Sequence, residues 1–327
     1  MKIRENILKA PAFTFETLKK HLRQYPGLGR LINFKKLEGG VANYAYKVKT
    51  TKGYFILKIA VRNNPHRVKY EVELLNKIKK LPTPKLIKAQ NDRYLVLYEK
   101  HQTMLYKYLQ GYIADNIDEK MAYEIGVFLG KLHIQTENFN SKISRVKLYS
   151  ITEKKINYTV KAGKNISNQK IKKAISLIKR DAFKYKLPRS LPNGAMHLDI
   201  SPSNVLFSGK KLTGVVDFDN SYKGPLVLDL GGALVWFGYS NGRFDFAKLR
   251  SLYKGYMTVR ELGKEEKSAL LGAMHCYIFG IVLHGVEFYI QKKLSEAFLT
   301  KVSIGHLLNA GMKLGTLKKK FESSLEI

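Results

Sequence analysis

Two short apolar segments joined by a polar turn constrain the fold of this chain more than any other feature of its sequence. The stretch NVLFSGKKLTGVVDFD, which begins at Asn204, has apolar residues on both sides of SGKK and predicts an antiparallel hairpin. Closing the hairpin brings its open ends together, so Asn204 and Asp217 are expected to lie opposite each other or within about two residues. An amide oxygen and a carboxylate that meet there suit Mg²⁺, which takes few protein ligands and leaves room for phosphate oxygens and water.

Asp199 lies in the loop that precedes this hairpin, within MHLDISPSNVLF. A carboxylate in that loop is close to the expected metal without having to be a ligand, so we predict that Asp199 acts as a base. The spacing of His197, Asp199 and Asn204 matches the H-x-D-x-x-x-x-N catalytic loop of kinases, in which the aspartate accepts the proton of the substrate hydroxyl and the asparagine holds a metal ion. Asp217, in VVDFD, lies where a kinase carries its second metal ligand.

A lysine and a glutamate upstream complete this pattern. Residues 34–60 have the composition of strands, with VANYAYKVKT and YFILKIA joined by TTKG. Within YFILKIA, period-two alternation places Lys58 on an apolar face, where a buried lysine needs a partner. The next segment begins with Pro65 as its first helical residue, and its apolar repeat places Glu71 on the inward stripe. Glu71 is therefore the predicted partner of Lys58.

A pair of glycines precedes the first of these strands. In LEGGVANYAYKV, Gly39 and Gly40 would allow backbone N–H groups to approach phosphates. The stretch is not the G-x-G-x-x-G pattern, so an ordinary glycine-rich turn into a strand remains an alternative interpretation.

The net charge of +32 is compatible with a nucleic-acid partner. Most of the 58 basic residues are lysines, however, and they are dispersed along the whole chain. Arginine, the residue suited to bidentate contacts with phosphates and bases, is scarce. We therefore expect no specific nucleic-acid partner, although the charge would attract polyanions such as ATP.

The composition is typical of a soluble protein of a reducing compartment. At 327 residues the chain can bury a sizeable core without disulfides, and its single cysteine, Cys276, lies within the apolar run CYIFGIVL. The N-terminal MKIRENILKAPAFTF lacks the uninterrupted apolar stretch of a secretory signal. The apolar run PLVLDLGGALVWFGY is short and contains Asp229, which argues against a membrane span. We predict a cytoplasmic protein without a membrane partner, and the sequence leaves the oligomeric state open.

Together, these motifs resemble the aminoglycoside phosphotransferase and choline kinase family, small-molecule kinases with a protein-kinase-like fold. The resemblance runs from about Tyr25 to Gly238 and includes GGVANYAYKV, EIGVFLGKLH, HLDISPSNVLF and GVVDFDNSYKGPLVLDLGGAL. Within the family, YPGLGRLINFKKLEGGVANYAYKVKTTKGYFILKIA is most similar to the homoserine-kinase branch. Unlike in a protein kinase, Asp219 replaces the glycine of the metal motif and no long activation segment precedes Asp229. A regulated protein kinase is therefore disfavoured.

The resemblance implies an α+β fold with two lobes. Residues 1–98 would form a small N-lobe, with an antiparallel sheet and one helix, that binds the nucleotide. Residues 99–327 would form a larger, mainly helical C-lobe with the catalytic loop, the metal site and the acceptor site. The sequence pattern changes at this point, because the apolar strand RYLVLYE ends near Glu99 and helical stretches such as EKMAYEIGVFLGKLH follow.

The resemblance also implies roles for individual residues. Asp199 would be the base or hydroxyl-orienting group, and Asn204 and Asp217 would be the Mg²⁺ ligands. Lys58, held by Glu71, would contact the nucleotide phosphates, and the adenine would dock against the backbone near Leu97 to Glu99. The residues expected to bind the cofactor are Gly39, Gly40, Asn43, Lys58, Glu71, Tyr98 and Glu99.

The expected activity is ATP- and Mg²⁺-dependent transfer of a γ-phosphoryl group to a hydroxyl of a small metabolite, with homoserine or a related hydroxylated amine as the candidate acceptor. An aminoglycoside or other antibiotic is the alternative acceptor, although acidic residues are few beyond residue 240 and an aminoglycoside cleft should be rich in acids. Two alternatives of other classes remain open: a non-catalytic nucleotide-binding scaffold with a kinase-like fold, and a basic nucleic-acid binder.

Three polar residues lie on or near one apolar helical segment, GAMHCYIFGIVLHGVEFY. His275, His284 and Glu287 could face the acceptor, or they could pack in the core, as histidines on apolar faces commonly do. The sequence leaves both interpretations open.

Overall fold

An antiparallel sheet forms the N-terminal part of the structure, a computed structural model that describes residues 11–37, 43–61 and 64–327. Its strands are β1 Leu31–Leu37, β2 Tyr44–Thr50, β3 Gly53–Ile59, β4 Leu86–Ile87, β5 Val96–Tyr98 and β6 His101–Lys107. The strand order is β1-β2-β3-β6-β4, and β5 pairs with β6. The β2–β3 hairpin confirms the strands expected around TTKG, with Thr50 opposite Gly53.

The side chains of β3 alternate between two packed faces of the sheet. Leu57 and Ile59 belong to the apolar cluster that contains helix α1, Phe15–Leu22. Ile56 and Ala60 pack on the other face, with helix α2, Pro65–Lys77. Lys58 shares this second face, as the period-two alternation predicted, and the α2 helix is therefore the element above its side chain.

Helix α2 begins at the residue that the sequence indicated. Asn64 caps the helix by accepting a hydrogen bond from the N–H of Arg67 at 3.2 Å, and Pro65 is the first helical residue. Proline suits this position because the first N–H groups of a helix have no partner within it. The cap fixes where the helix starts and therefore which of its side chains face the sheet.

The sheet extends beyond the division expected between residues 98 and 99, and the prediction of helical structure directly after Glu99 was wrong. That division lies at the turn between β5 and β6. Strand β6 pairs with β3, from Phe55 opposite Lys107 to Ile59 opposite Thr103, so the chain leaves the sheet only after Lys107. β6 was not recognised because most of its side chains are buried, and such a strand lacks the regular alternation of a half-exposed one.

Helices make up most of the remaining chain, as predicted. They are α3 Glu119–Thr136, α4 Glu153–Gly163, α5 Gln169–Asp181, α6 Leu226–Gly238, α7 Phe246–Met257, α8 Lys264–Ile290, α9 Glu296–Phe298, α10 Asn309–Thr316 and α11 Lys318–Leu325, and π-helical turns at Leu299–Leu308 precede α10. Three strand pairs accompany them: β7 Asn193–Met196 with β10 Tyr222–Pro225, β8 Val205–Ser208 with β9 Lys211–Val215, and β11 Tyr239–Ser240 with β12 Arg243–Phe244.

Helix α8 lies at the centre of this helical part. By length and composition it could cross a membrane, but 78% of its most apolar window is buried within the fold. It packs tightly against α6, where a Cβ added to Gly231 would lie 2.9 Å from the backbone nitrogen of Met274. Only a glycine allows so close an approach of two helices. Helix α8 is therefore a core helix of the fold.

Two histidines are buried in surroundings that disfavour their protonated form. Burial lowers the pKa of His21 and of His275 from the ordinary 6.5 to about 4. His21 is hydrogen-bonded to Thr103 Oγ1 at 2.9 Å, whereas neither ring nitrogen of His275 has a partner among the residues that the structure describes. Instead, His275 stacks on Tyr185 with the ring centroids 4.1 Å apart. Between pH 6.5 and about 4 the unfolded chain therefore binds more protons than the folded protein.

The free energy of unfolding should consequently fall as the pH is lowered through this window, by on the order of 3 kcal/mol for each of the two rings. Since stability rises with pH wherever the unfolded state holds more protons, His275→Phe should remove part of the slope. Urea unfolding at about pH 7 and about pH 4.5 measures this change in the free energy of unfolding for the wild type and the variant. Replacement of the exposed His66 by glutamine is the control. A His275→Phe protein with the wild-type slope would contradict the prediction.

Candidate active site

Asn204 and Asp217 meet at the open end of the β8–β9 hairpin. Val205 pairs with Val215, and the N–H of Val216 donates to the carbonyl oxygen of Asn204 at 2.9 Å. Asp217 therefore follows the residue that lies opposite Asn204. Asn204 and Asp217 therefore lie as close as the two apolar segments predicted, and a register shift between Leu206 and Phe207 sets which residues are opposite beyond it.

Each of the two side chains offers an oxygen atom to a cation. Asp217 has a left-handed backbone conformation (φ 67°, ψ 66°), which aspartate tolerates better than most residues, and its side chain is 41% exposed. Asn204 Nδ2 donates to the carbonyl of Asp199 at 2.8 Å, which leaves Oδ1 as its acceptor atom. No cluster of three or more His, Cys, Asp or Glu that could hold a metal occurs in the described ranges. The pair thus fits an ion that takes most of its ligands from phosphate and water, as Mg²⁺ does.

His197 fixes the loop that carries Asp199. The N–H of Asp199 donates to His197 Nδ1 at 3.1 Å, so the ring proton is on Nε2, which donates to the carbonyl of Val216 at 3.1 Å. Burial lowers the pKa of His197, which keeps the ring neutral. The histidine therefore connects the loop to the hairpin end, and both of its nitrogens are used for that purpose.

Asp229, on helix α6, anchors the same loop to the helical part. Its carboxylate accepts hydrogen bonds from the N–H groups of His197 and Leu198, both at 2.7 Å, and contacts His133 Nε2 at 3.2 Å. Burial would raise the pKa of Asp229, but His133 and the backbone of His197 outweigh it and keep the pKa below its ordinary value. These bonds stabilise Leu198 at a φ of 64°, which a branched residue rarely adopts. Asp229 is thus a structural residue of the loop.

Lys58 and Glu71 form the ion pair that the sequence predicted. Lys58 Nζ lies 2.8 and 2.9 Å from the two carboxylate oxygens of Glu71 and 3.3 Å from Asp217 Oδ1. The hydroxyl of Tyr106 donates to Glu71 Oε1 at 3.3 Å. Burial alone would lower the pKa of Lys58, but Glu71, together with Tyr106 and Asp217, raises it well above its ordinary value. The ammonium group is therefore charged, and it reaches the hairpin end.

Asn220 and Arg67 are among the residues of the site that were not predicted from the sequence. Asn220 Nδ2 donates to Asp199 Oδ2 at 3.3 Å. Arg67 forms a buried ion pair with Asp219, with 2.7 Å between Nη2 and Oδ2. Arg67 precedes Glu71 by four residues and so lies on the same helix face, a spacing that could have identified it. No comparable pattern marks Asn220.

The residues of the expected nucleotide loop are only partly visible. Gly39 and Gly40 lie outside the residues that the structure describes. Asn43, which follows them in the chain, is buried, and its Nδ2 donates to Asp219 Oδ2 at 3.2 Å. The start of β2 is therefore connected directly to the turn that follows Asp217.

Tyr98 and Glu99, expected near the adenine, are not brought to Lys58. The ring of Tyr98 stacks on Phe13 with centroids 3.9 Å apart and packs on the α1 face of the sheet, opposite the face of Lys58. Glu99 is exposed in the β5–β6 turn. The connection after Lys107, at the end of β6, is the segment that leads from the sheet to the helical part. The expectation for Tyr98 and Glu99 depended on the misplaced end of the sheet.

The three polar residues of α8 have different surroundings. His275 packs in the core against Tyr185, which confirms the packing interpretation for this residue. His284 Nδ1 lies 3.9 Å from Glu287 Oε2, which in turn lies 3.8 Å from Lys155 Nζ on helix α4. His284 and Glu287 therefore belong to a partly buried polar group between α8 and α4.

The fold is of the kinase-like class, and solved structures agree with this assignment. An amicoumacin kinase solved in complex with AMP-PNP and Ca²⁺ has a TM-score of 0.66 at 15% identity, covering 91% of this chain and 93% of that chain. A spectinomycin phosphotransferase solved in complex with ADP and spectinomycin has a TM-score of 0.66 at 14% identity, covering 94% and 99%. At this identity the likeness shows the fold, an N-terminal antiparallel sheet followed by a mainly helical part.

The family follows from the sequence. A profile of the phosphotransferase enzyme family, APH, matches residues 33–262, and the chain belongs to this family. Its relatives include the homoserine kinase of Zymomonas mobilis subsp. mobilis, 26% identical over 271 residues that cover 78% of this chain and 81% of the relative. The homoserine kinase of Parvibaculum lavamentivorans is 23% identical over 304 residues, covering 88% and 92%. The protein is thus a small-molecule kinase, and the predicted family and fold class are confirmed.

Proposed function

We propose that this enzyme transfers the γ-phosphoryl group of ATP to a hydroxyl of a small metabolite in a Mg²⁺-dependent reaction. One observation carries the proposal. Asp217 follows the residue opposite Asn204 and lies 3.3 Å from Lys58 Nζ, while Asn204 is hydrogen-bonded to the backbone of Asp199 at 2.8 Å. A candidate base, two oxygen ligands and a fixed positive charge therefore lie together, which is the set of groups that phosphoryl transfer requires.

Asn204 and Asp217 would hold the metal ion through one amide and one carboxylate oxygen. The ion, when bound, neutralises charge on the phosphate oxygens. Lys58 contributes a second positive charge, and its position is fixed in advance by Glu71 at 2.8 Å. A charge held in place by the fold needs no reorganisation when charge develops in the transition state.

Asp199 would align the acceptor hydroxyl and accept its proton. Its backbone is held by His197 at 3.1 Å and its carboxylate by Asn220 at 3.3 Å, so both the loop and the side chain have a defined orientation. Little covalent chemistry is required of the protein in phosphoryl transfer, and positioning supplies much of the rate.

We further propose that the adenine docks against the backbone that follows β6, at residues 108–111, instead of near Tyr98. Strand β6 is the neighbour of β3, with Met104 opposite Lys58, so the chain leaves the sheet beside the strand that carries the lysine. Tyr112 then pairs with Phe207 of β8, which joins this connection to the hairpin. The connection thus joins the strand beside Lys58 to the hairpin whose open end carries Asn204 and Asp217.

The proposed acceptor is homoserine or a related hydroxylated amine, because relatives named homoserine kinase cover most of the chain. An aminoglycoside is the second candidate, since solved neighbours include a phosphotransferase in complex with gentamicin. The net charge of +32 disfavours a polycationic acceptor, however. A cytoplasmic location remains a prediction from the sequence.

Heat denaturation with and without Mg²⁺ and ATP, followed by an ATP-consumption screen over hydroxylated amino acids, amines, sugars and aminoglycosides, tests the proposal. ATP at a concentration of about 100 times its Kd should add roughly 2.7 kcal/mol to the free energy of unfolding. Consumption of ATP with homoserine or a hydroxylated amine is the expected result. Stabilisation by Mg²⁺ and ATP without turnover on any acceptor would favour the non-catalytic scaffold, and the absence of stabilisation would contradict both.

A further inference from the structure

The carboxylate of Asp219 is held by two side chains from the N-terminal part of the chain. Arg67 binds it in a bidentate way, with 3.1 Å from Nε to Oδ1 and 2.7 Å from Nη2 to Oδ2. Asn43 Nδ2 donates to the same Oδ2 at 3.2 Å. The side chains of Arg67 and Asp219 are only 7% and 8% exposed, so this pair is largely removed from solvent. A planar guanidinium in this geometry gives orientation as well as attraction.

The backbone around Asp219 is held as firmly as its side chain. Arg67 Nη2 donates to the carbonyl oxygen of Asp219 at 2.9 Å and to Asn220 Oδ1 at 3.0 Å. Arg145 donates to the same carbonyl of Asp219 at 2.8 Å and to that of Ser221 at 2.9 Å. The turn that follows Asp217 is therefore fixed by two arginines, one from helix α2 and one from the segment before α4.

Helix α2 contacts the site through two successive turns. Glu71 holds Lys58, and Arg67, four residues earlier on the same face, holds Asp219. Asp219 in turn lies two residues after Asp217. Because an α-helix has a fixed rise per residue, the spacing of Arg67 and Glu71 is fixed. This helix therefore sets the distance between the candidate phosphate-binding lysine and the candidate metal ligand.

A metal-binding role for Asp219 does not fit this geometry. Both of its carboxylate oxygens accept hydrogen bonds from buried donors, and a guanidinium beside them would repel a divalent ion. Asp217, with a 41% exposed side chain, is the carboxylate of this turn that a cation can reach. The two aspartates of VVDFD therefore have different partners.

We propose that Arg67 and Asp219 form a positioning pair, a permanent connection that holds helix α2 against the turn of Asp217 and keeps Lys58 and Asp217 in register. Asp219 stands where a protein kinase carries a glycine in its metal motif, in a chain without a long activation segment. The pair would keep the helix in its active position at all times. The inference rests on the proposed function for its catalytic consequence, whereas the connection itself can be tested without turnover.

The first test is hydrogen exchange of the backbone amides of residues 67–77. Asp219→Asn, Arg67→Gln and the double variant should each exchange at least about tenfold faster in α2 than the wild-type protein, because the helix loses its connection to the turn. The double variant should be no faster than the faster single variant. Glu266→Gln is the matched control, since it breaks another buried pair, with Arg260 at 2.9 Å, in a different part of the fold. Unchanged exchange of α2 in both single variants would overturn the proposal.

The second test separates a positioning pair from a metal ligand. With Mg²⁺, ATP and the acceptor identified by the screen, both single variants should lower kcat/KM for ATP by about tenfold or more, and any shift of the half-saturating Mg²⁺ concentration should be the same in both. A raised Mg²⁺ requirement in Asp219→Asn alone would show that Asp219 binds the metal and would overturn the proposal. If the wild-type protein turns over no acceptor, the proposed function fails while the exchange measurement still decides the inference. If a single variant does not fold, the double variant, which leaves no unpaired buried charge, supplies both measurements.

Discussion

Replacement of Asp199 by alanine is expected to lower turnover by about 10²- to 10⁴-fold and to leave nucleotide binding nearly unchanged. The carboxylate is held by Asn220 at 3.3 Å, and its loop is connected to the hairpin through His197. Neither contact involves the Lys58–Glu71 pair, which is the proposed phosphate-binding group. Loss of the base should therefore affect the chemical step and spare the binding step, which steady-state kinetics and the thermal shift with Mg²⁺ and ATP measure separately.

Asp115→Ala is the matched control for this variant, because Asp115 is an exposed aspartate outside the candidate site. Asn220→Ala should have a smaller effect than Asp199→Ala, since it removes one of the groups that orient the carboxylate and leaves the carboxylate itself. Turnover that is unchanged in Asp199→Ala would show that the base is assigned to the wrong residue.

The second large effect is expected for Asp217→Asn, which should lower turnover by about 10²- to 10³-fold and raise the Mg²⁺ concentration needed for half-maximal activity. An amide is a weaker ligand than a carboxylate for a hard cation. Stability should change little, because Lys58 retains Glu71 at 2.8 Å and the lost partner is 41% exposed. Turnover and the ADP-induced thermal shift, each followed through a Mg²⁺ titration, measure the loss of activity and the Mg²⁺ requirement.

Asp92→Asn is a closely matched control for this substitution. Asp92 also has a left-handed backbone, with a φ of 61°, and also pairs with a lysine, Lys88 at 2.6 Å, but it is on the surface of the sheet part. Its replacement should leave the Mg²⁺ dependence at the wild-type value. An Asp217→Asn protein with the same Mg²⁺ dependence as wild type would exclude Asp217 as a metal ligand.

Those parts of the fold and site that depend on one or two neighbouring elements could be predicted from the sequence. The β8–β9 hairpin follows from two apolar segments and their turn and is confirmed by Val205 opposite Val215, whereas the register shift between Leu206 and Phe207 was not predicted. The partnership of Lys58 and Glu71 follows from the alternation of a strand and the inward stripe of the next helix. In both cases the signal is periodicity within a short stretch of chain.

The end of the sheet was misplaced for a reason of the same kind. Strand β6 is largely buried, so its side chains show no regular alternation of polar and apolar positions. The expected lobe boundary was therefore placed one strand too early, at the turn between β5 and β6. The expectation that Tyr98 and Glu99 lie near the adenine depended on that placement. The metal and base assignments of Asn204, Asp217 and Asp199 remain proposals that the variants above decide.

Residue order alone specified the hairpin, the capped start of α2 and the spacing of the kinase-like motif, because hydrogen-bond pairing and side-chain periodicity act between residues close in the chain. Long-range packing alone specified that β6 joins β3 and that Asp219 binds Arg67, a residue 152 positions away. Each such contact becomes favourable only after separate elements have been brought together and their polar groups removed from water.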